Sequence, residues 1–192
     1  MGQTEAVTDS RVRNKTRDIV YTAFFAVLIA VGSWISIPMT VPFTLQTFAV
    51  FVTLGILGGR RGTMAVLLYI LLGAVGIPVF SGFTGGVGIL RGNTGGYIAG
   101  VLLTGFIFWG IQRMFGRSLG VQVISMLLGL ISCYFFGTIW FLLVYMRNGS
   151  TVSVVTVLGW CVIPFIVPDL VKLGLALTVA RRVSRYAGIE RI

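Results

Sequence analysis

Histidine is absent from this 192-residue chain, and carboxylates nearly so: between Asp18 and Glu190 the only one is Asp169. Without imidazole there is no histidine set for zinc, no Ser/His or Cys/His nucleophile pair and no imidazole proton relay. The two cysteines, Cys133 and Cys161, lie in apolar stretches, where a small polarisable side chain packs easily. They indicate neither a disulfide framework nor a metal site, and no metal is expected. No GxxxxGKS/T motif occurs, and Gly86-Val87-Gly88-Ile89-Leu90-Arg91 breaks the GxGxxG spacing outside any strand-to-helix context. By itself the chain therefore holds no ATP in the P-loop manner. No cofactor is expected, and uphill work requires a partner or an ion gradient.

What is present is apolar length. Hydrophobic residues make up 56% of the chain and charged residues 10%, with a mean hydropathy of +0.98, beyond the range of an ordinary soluble domain. The uncharged runs 19–59, 62–90, 92–112, 118–146 and 148–168 each hold enough apolar residues for a membrane span of about 20 residues. The formal net charge of +10 does not point to nucleic acid, because the basic residues punctuate the apolar runs instead of gathering on one solvated face. Arg11, Arg13, Lys15 and Arg17, then Arg60 and Arg61, then Arg113 and Arg117, then Arg181, Arg182, Arg185 and Arg191 alternate with loops that hold only Arg91 and Arg147. The positive-inside rule puts both termini in the cytoplasm and demands an even number of spans.

Six spans satisfy this pattern: 19–37, 44–58, 62–79, 95–115, 119–145 and 154–181. The second is short after Pro38 and Pro42, yet without it Arg60 and Arg61 would fall outside. The expected architecture is an all-α integral membrane protein of six transmembrane helices, with a polar cytoplasmic tail at 1–18, a helical domain at 19–185 and a cytoplasmic tail at 186–192. The first of these shows no small-residue cleavage pattern, and Ala6 fails the myristoylation pattern, so it reads as a retained tail.

The connections differ in kind. Residues 58–62, Gly-Gly-Arg-Arg-Gly, and 116–118 read as tight cytoplasmic turns. On the other side, 38–47 carries two prolines with Thr40, Thr44, Gln46 and Thr47, and 81–100 holds eight glycines with Arg91, Asn93, Thr94 and Tyr97. Glycine permits positive φ and close backbone approach, so the second segment can fold inward over a cavity. Its Phe83, Ile89, Leu90 and Tyr97, with Phe80 just before, suit packing better than free flexing. No internal repeat argues for an inverted-repeat transporter.

Asp169 and Lys172 stand in Val167-Pro168-Asp169-Leu170-Val171-Lys172, inside the last apolar span. An ionised side chain at the middle of a membrane helix costs roughly 2.5 to 3.5 kcal/mol on insertion scales, so the two require a reason. Three residues apart, they share one helical face. At 1.5 Å per residue Asp169 lies about 18 Å and Lys172 about 13.5 Å from Arg181, in the outer half and near the middle of a hydrocarbon core of about 30 Å. Pro164 and Pro168 remove backbone donors at the same depth, so the helix bends or begins afresh there and lines a cavity. The pair serves either a ligand or only its own neutralisation.

Polar groups from three regions can converge on it: Thr44 and Gln46; Arg91, Asn93 and Tyr97; and the pair itself, among Phe43, Phe80, Phe83 and Trp160. Amide, carboxylate, hydroxyl and cationic groups on aromatic walls suit a small, mostly apolar ligand with a few polar handles. A permeating ion would want a ring of like groups. In the first span Ala26 and Ala30 offer a small-xxx-small face for another helix, with internal packing as the plain alternative.

Val41-Pro42-Phe43-Thr44-Leu45-Gln46-Thr47, Gly58-Gly59-Arg60-Arg61-Gly62, the run Gly73-Ala74-Val75-Gly76-Ile77-Pro78-Val79-Phe80 into Gly95-Gly96-Tyr97, and Val167-Pro168-Asp169-Leu170-Val171-Lys172 together resemble the BioY family. These are biotin-specific substrate-binding subunits, or S components, of energy-coupling-factor (ECF) vitamin transporters. The resemblance covers about residues 19–185. It implies a six-helix protein of a bacterial or archaeal cytoplasmic membrane, embedded in lipid, that captures biotin beneath a lid of external loops. It also implies partners: a transmembrane scaffold docking on Ala26 and Ala30, and two subunits that alone use ATP. Asp169 would accept from the ureido N–H groups, Lys172, Asn93 and Gln46 would donate or position, Tyr97 and the phenylalanines would flank the bicycle, and Arg91 would face the tail carboxylate.

Three other readings compete. An S component for riboflavin or thiamine would want several Trp or Tyr rings for stacking, whereas the external segments offer mainly Phe and Tyr97. An intramembrane enzyme would need a second carboxylate or a histidine. A structural adaptor would leave Asp169 and Lys172 as an internal ion pair.

Overall fold

The computed structural model describes residues 2–147 and 152–187, with side chains from 15–147 and 152–185. Residues 188–192, the side chains of 186 and 187, and most side chains of the 1–18 tail lie outside these described residues. The elements are α1 (Gly2–Trp34), β1 (Ser36–Ile37), β2 (Phe43–Thr44), α2 (Gln46–Val75), α3 (Val87–Arg91), α4 (Gly95–Phe115), α5 (Leu119–Arg147), α6 (Val154–Cys161) and α7 (Ile163–Ala187). Five segments are long and apolar enough to cross a membrane: Lys15–Trp34, Gln46–Val75, Gly95–Phe115, Leu119–Arg147 and Val154–Arg185.

The difference from the expected six lies within α2. Its hydrogen bonding runs on across Gly58, but that residue sits at φ 76 and ψ 175, outside helical space. A β-carbon on Gly62 would lie 3.0 Å from the Cα of Leu54. Eight residues along a straight helix would separate them by about 12 Å, so the chain folds back on itself here. The neighbouring α1 agrees: Gly32 faces Leu45 and Ala49 of the first arm, while Ser33 bonds Tyr69 of the second. The positive φ explains why a glycine stands at the bend.

The last predicted span is divided as well. α6 ends at Cys161, Val162 leaves helical geometry at φ -126 and ψ -57, and α7 starts one residue before Pro164. In the first turn of a helix the missing proline N–H costs nothing, so Pro164 opens α7; Pro168 lies within it. The connection after α1 departs from all-α expectation, forming an antiparallel hairpin that pairs Ser36 with Thr44 and Ile37 with Phe43.

Helices α4 and α5 run antiparallel at close range. A β-carbon on Gly100 would sit 2.8 Å from Cys133 Sγ, and one on Gly129 would sit 2.5 Å from Thr104 Cγ2. Small residues let membrane helices approach in this way, with dispersion replacing the hydrophobic drive that lipid removes. At one end of the bundle, Asp18 pairs with Arg61 at 3.1 Å, the Gly59 N–H donates to Gln112 Oε1 at 2.6 Å, and Gly55 abuts Ala180. The α2 bend, the α4–α5 turn and the end of α7 are thus gathered there with their arginines. The hairpin and the 76–94 segment lie at the other end.

Candidate functional site

The polar cluster begins at α7, whose helical spacing turns Asp169 and Lys172 into the bundle. They are 2% and 6% exposed, the only fully buried charged side chains among the described residues. Lys172 Nζ donates to Asp169 Oδ1 at 2.8 Å and to the Thr44 carbonyl at 2.7 Å, and lies 3.9 Å from the centre of the Phe43 ring. The ammonium is thereby tied both to its counter-ion and to strand β2. Thr47 donates to the same Oδ1 at 3.0 Å, while Tyr134 of α5 donates to Oδ2 at 2.6 Å. A carboxylate has about four lone-pair positions, and three are taken. The remaining one is on Oδ2.

Around this cluster is a cavity of about 300 Å³, at the small end of the range for ligand sites. Thr44, Gln46 and Thr47 form one wall, Phe80, Ile89 and Thr94 another, and Tyr97, Cys133 and Tyr134 a third. Cys161 and Phe165 close it beside Asp169, and Ser33 with Tyr69 extends it toward α1. Tyr69 donates to Ser33 at 3.2 Å, and Tyr97 shares a hydrogen bond of 3.2 Å with Thr138. Gln46 Nε2 is buried without a hydrogen-bond partner among the described residues. Such a donor is costly to leave unmade, about 1–3 kcal/mol, and marks a place where something else must accept.

The 76–94 segment is pinned to this wall. Trp34 Nε1 donates to the Pro78 carbonyl at 2.8 Å, the Gly86 N–H to the Gly73 carbonyl at 2.6 Å, and Trp140 Nε1 to the Gly92 carbonyl at 3.0 Å. Phe83 stacks on Trp34 at 5.1 Å with its backbone at φ 57, an unusual conformation for a bulky side chain.

Thr44, Gln46, Phe80, Tyr97, Asp169 and Lys172 meet at the cavity as the sequence predicts. Phe43 stands behind Lys172, packed on Phe165, instead of on the wall. Arg91, Asn93 and Trp160 are not on the wall. In α3 it is Ile89 that faces inward, and Arg91, two residues and about 200° further, points to solvent. Thr94 takes the position expected of Asn93. In α6 the buried positions are Val157 and Cys161, four apart, which turns Trp160 outward at 40% exposure against Tyr145. Phe83 is likewise exposed.

Ala26 and Ala30 are buried within the chain. At 1% and 4% exposure they belong to the core, on the side of α1 that packs against α2, so the small-residue face serves internal close packing. Sequence reasoning missed Thr47, Tyr134, Tyr69 and both cysteines as wall residues. Tyr134 carried a signal, since a phenol inside an apolar span must find a partner at membrane depth.

Comparison with known proteins follows the same lines. A model of the BioY family matches residues 4–188. The biotin transporter BioY of Thermotoga maritima is 39% identical over 91% of this chain and 99% of its own length. A probable biotin transporter BioY of Pyrococcus horikoshii is 38% identical over 88% and 98%. A crystal structure of the S-component for biotin from an ECF-type ABC transporter superposes with a TM-score of 0.79 and 27% identity, covering 90% of this chain and 93% of that one. The chain belongs to the BioY family.

Proposed function

We propose that this chain captures biotin at the outer face of the cytoplasmic membrane and, as the S component of an ECF-type transporter, mediates its uptake. The observation that carries the reading is the unused hydrogen-bonding capacity in a charge-balanced cavity. Among the described residues one acceptor position remains on Asp169 Oδ2, and Gln46 Nε2 has no partner. A ureido ring, with N–H groups beside a carbonyl, is the complement of that pair. Asp169 accepts from the ureido N–H, Gln46 donates to the carbonyl, and Phe80 and Tyr97 flank the bicycle. Thr47, Tyr134 and Lys172 hold the carboxylate in place, and the Thr44 carbonyl holds Lys172. The contact roles expected of Arg91, Asn93 and Trp160 are not carried over. The names of the relatives and of the superposed structure support the ligand.

In this reading the two arms of α2 count as separate crossings, giving six spans with both termini in the cytoplasm and the basic end facing inward. The domain layout is a cytoplasmic tail at 1–18, the binding domain at 19–185 and a second tail at 186–192. The 36–44 hairpin and the 76–94 segment act as the lid. Positive φ at Phe83 is the kind of backbone strain that collects at clamps and switch regions. Energy comes from a transmembrane scaffold with two ATP-hydrolysing subunits, and the chain works as a binder without catalysing a reaction.

Equilibrium binding of labelled biotin to the purified chain, competed with unlabelled biotin, riboflavin and thiamine, tests the reading. Displacement by biotin alone is expected. Absence of saturable biotin binding by a folded sample, or equal displacement by riboflavin or thiamine, overturns it.

A further inference from the structure

A second cavity, of about 310 Å³, lies at the basic end of the bundle, lined by residues of α4, α5, α7 and the α2 bend. Its floor is the first arm of α2, where Gly55 touches both Ala180 of α7 and Met126 of α5. Helix α7 packs mainly on α2 and α6, and α5 on α4 and α6, so a crevice remains between α5 and α7. Arg117, just before α5, and Arg181, on α7, both line it. The Arg117 guanidinium lies over Gly58, where a β-carbon would come within 2.7 Å of Nη2. Its backbone is fixed by Gln122, whose Nε2 donates to the Arg117 carbonyl at 3.1 Å.

The charged groups of this cavity all donate, and its neutral side chains supply both donors and acceptors. The Gln112 oxygen is already used by the Gly59 N–H, which leaves its amide hydrogens. Ser184 adds a hydroxyl. Among the described residues no carboxylate lines the cavity, since Asp18 pairs with Arg61 and Asp169 with Lys172. Two guanidinium groups sharing one concavity repel unless an anion joins them, and their planar forks match phosphate oxygens in geometry and charge.

We propose that this cavity binds the phosphodiester headgroup of an acidic phospholipid through Arg117 and Arg181. A phosphate oxyanion is the shared chemistry, and the flanks select the lipid as its source. Leu119 lines the cavity at 41% exposure, and Phe115, two residues before Arg117, is exposed at 67%. An amphiphile satisfies both surfaces, with its phosphate between the arginines and its chains along the apolar sides. The arginine-rich end also belongs at the cytoplasmic leaflet, where acidic lipids concentrate. The inference rests on the membrane-spanning reading and is independent of biotin.

The test is native mass spectrometry of the full chain, purified in detergent and delipidated, then titrated separately with dioctanoyl phosphatidylglycerol, dioctanoyl phosphatidylcholine and sodium phosphate. Phosphatidylglycerol adducts are expected at least tenfold more often than phosphatidylcholine adducts, with little displacement by millimolar phosphate. The pair Arg117→Gln and Arg181→Gln together should lower them about tenfold. Arg113→Gln, at an exposed arginine outside the cavity, should leave them unchanged. Arg181→Gln alone, at an exposed side chain, provides a variant that folds and should show an intermediate loss; circular dichroism melting checks each sample. Equal loss from Arg113→Gln, or undiminished adducts in the folded Arg181→Gln variant, overturns the site. Ready displacement by free phosphate overturns the lipid as its occupant.

Discussion

Two cavities of nearly equal volume, about 300 and 310 Å³, lie toward opposite ends of this bundle and handle charge in opposite ways. In the one around α7, a cation and an anion are buried together, held by Thr44, Thr47 and Tyr134. In the other, two arginines stand open to solvent with no described carboxylate on the wall. A buried ion pair that is already satisfied contributes direction more than net charge, and so suits a ligand recognised by neutral donors and acceptors. Unbalanced surface cations contribute net charge and suit an anion. Desolvation explains the contrast: burying an unpaired charge costs several kcal/mol, while an exposed one is screened by water and salt.

The largest test of that contrast is Lys172→Ala. It leaves Asp169 buried without its counter-ion, and removal of one partner from a buried pair costs about 3–5 kcal/mol. A large drop in melting temperature and loss of biotin binding are expected; a variant as stable as the parent would mean that the pair is not the buried anchor described. Tyr134→Phe removes the single hydrogen bond to Oδ2, a bond to a charged acceptor worth about 1.5–3 kcal/mol. Isothermal titration should show biotin binding about tenfold or more weaker, with the fold intact. Gln46→Leu deletes the unpartnered donor, so affinity should fall by about 1 kcal/mol while the ligand-free protein melts no lower. That divergence between binding and stability separates a ligand contact from a packing residue. Arg181→Gln should have the smallest effect: in lipid-free detergent it relieves like-charge repulsion, shifting stability by no more than about 0.5 kcal/mol, upward or not at all. A loss comparable to that of Lys172→Ala would erase the difference between the two cavities.

The spans at 95–115 and 119–145 were legible because apolar length and charge punctuation leave little choice. α4 is Gly95–Phe115 and α5 is Leu119–Arg147. Asp169 and Lys172 were legible for the same reason, as ions where ions do not belong. The wall was harder. On the cavity wall Ile89 stands for Arg91, Thr94 for Asn93 and Cys161 for Trp160, offsets of one or two residues. They arise because a helix apolar on every side, or a short loop helix, carries no amphipathic phase to orient it. Ala26 and Ala30 show the same weakness: a small-residue face says that something packs closely without saying whether the partner is foreign. The 36–44 hairpin escaped because two paired residues per strand leave almost no alternation to read. Phe43, one of them, was placed on the wall when its ring lies under the Lys172 ammonium.

That ammonium has a consequence for how the cavity opens. Lys172 donates to the Thr44 carbonyl, so the hairpin is attached to the charge pair itself. Lifting the hairpin would strip the ammonium of one acceptor, and water would have to enter to replace it. On the proposed reading of the hairpin as a lid, opening would therefore also be a wetting step, with the ion pair as a latch whose release is set by how readily solvent reaches a depth where the surrounding helices exclude it.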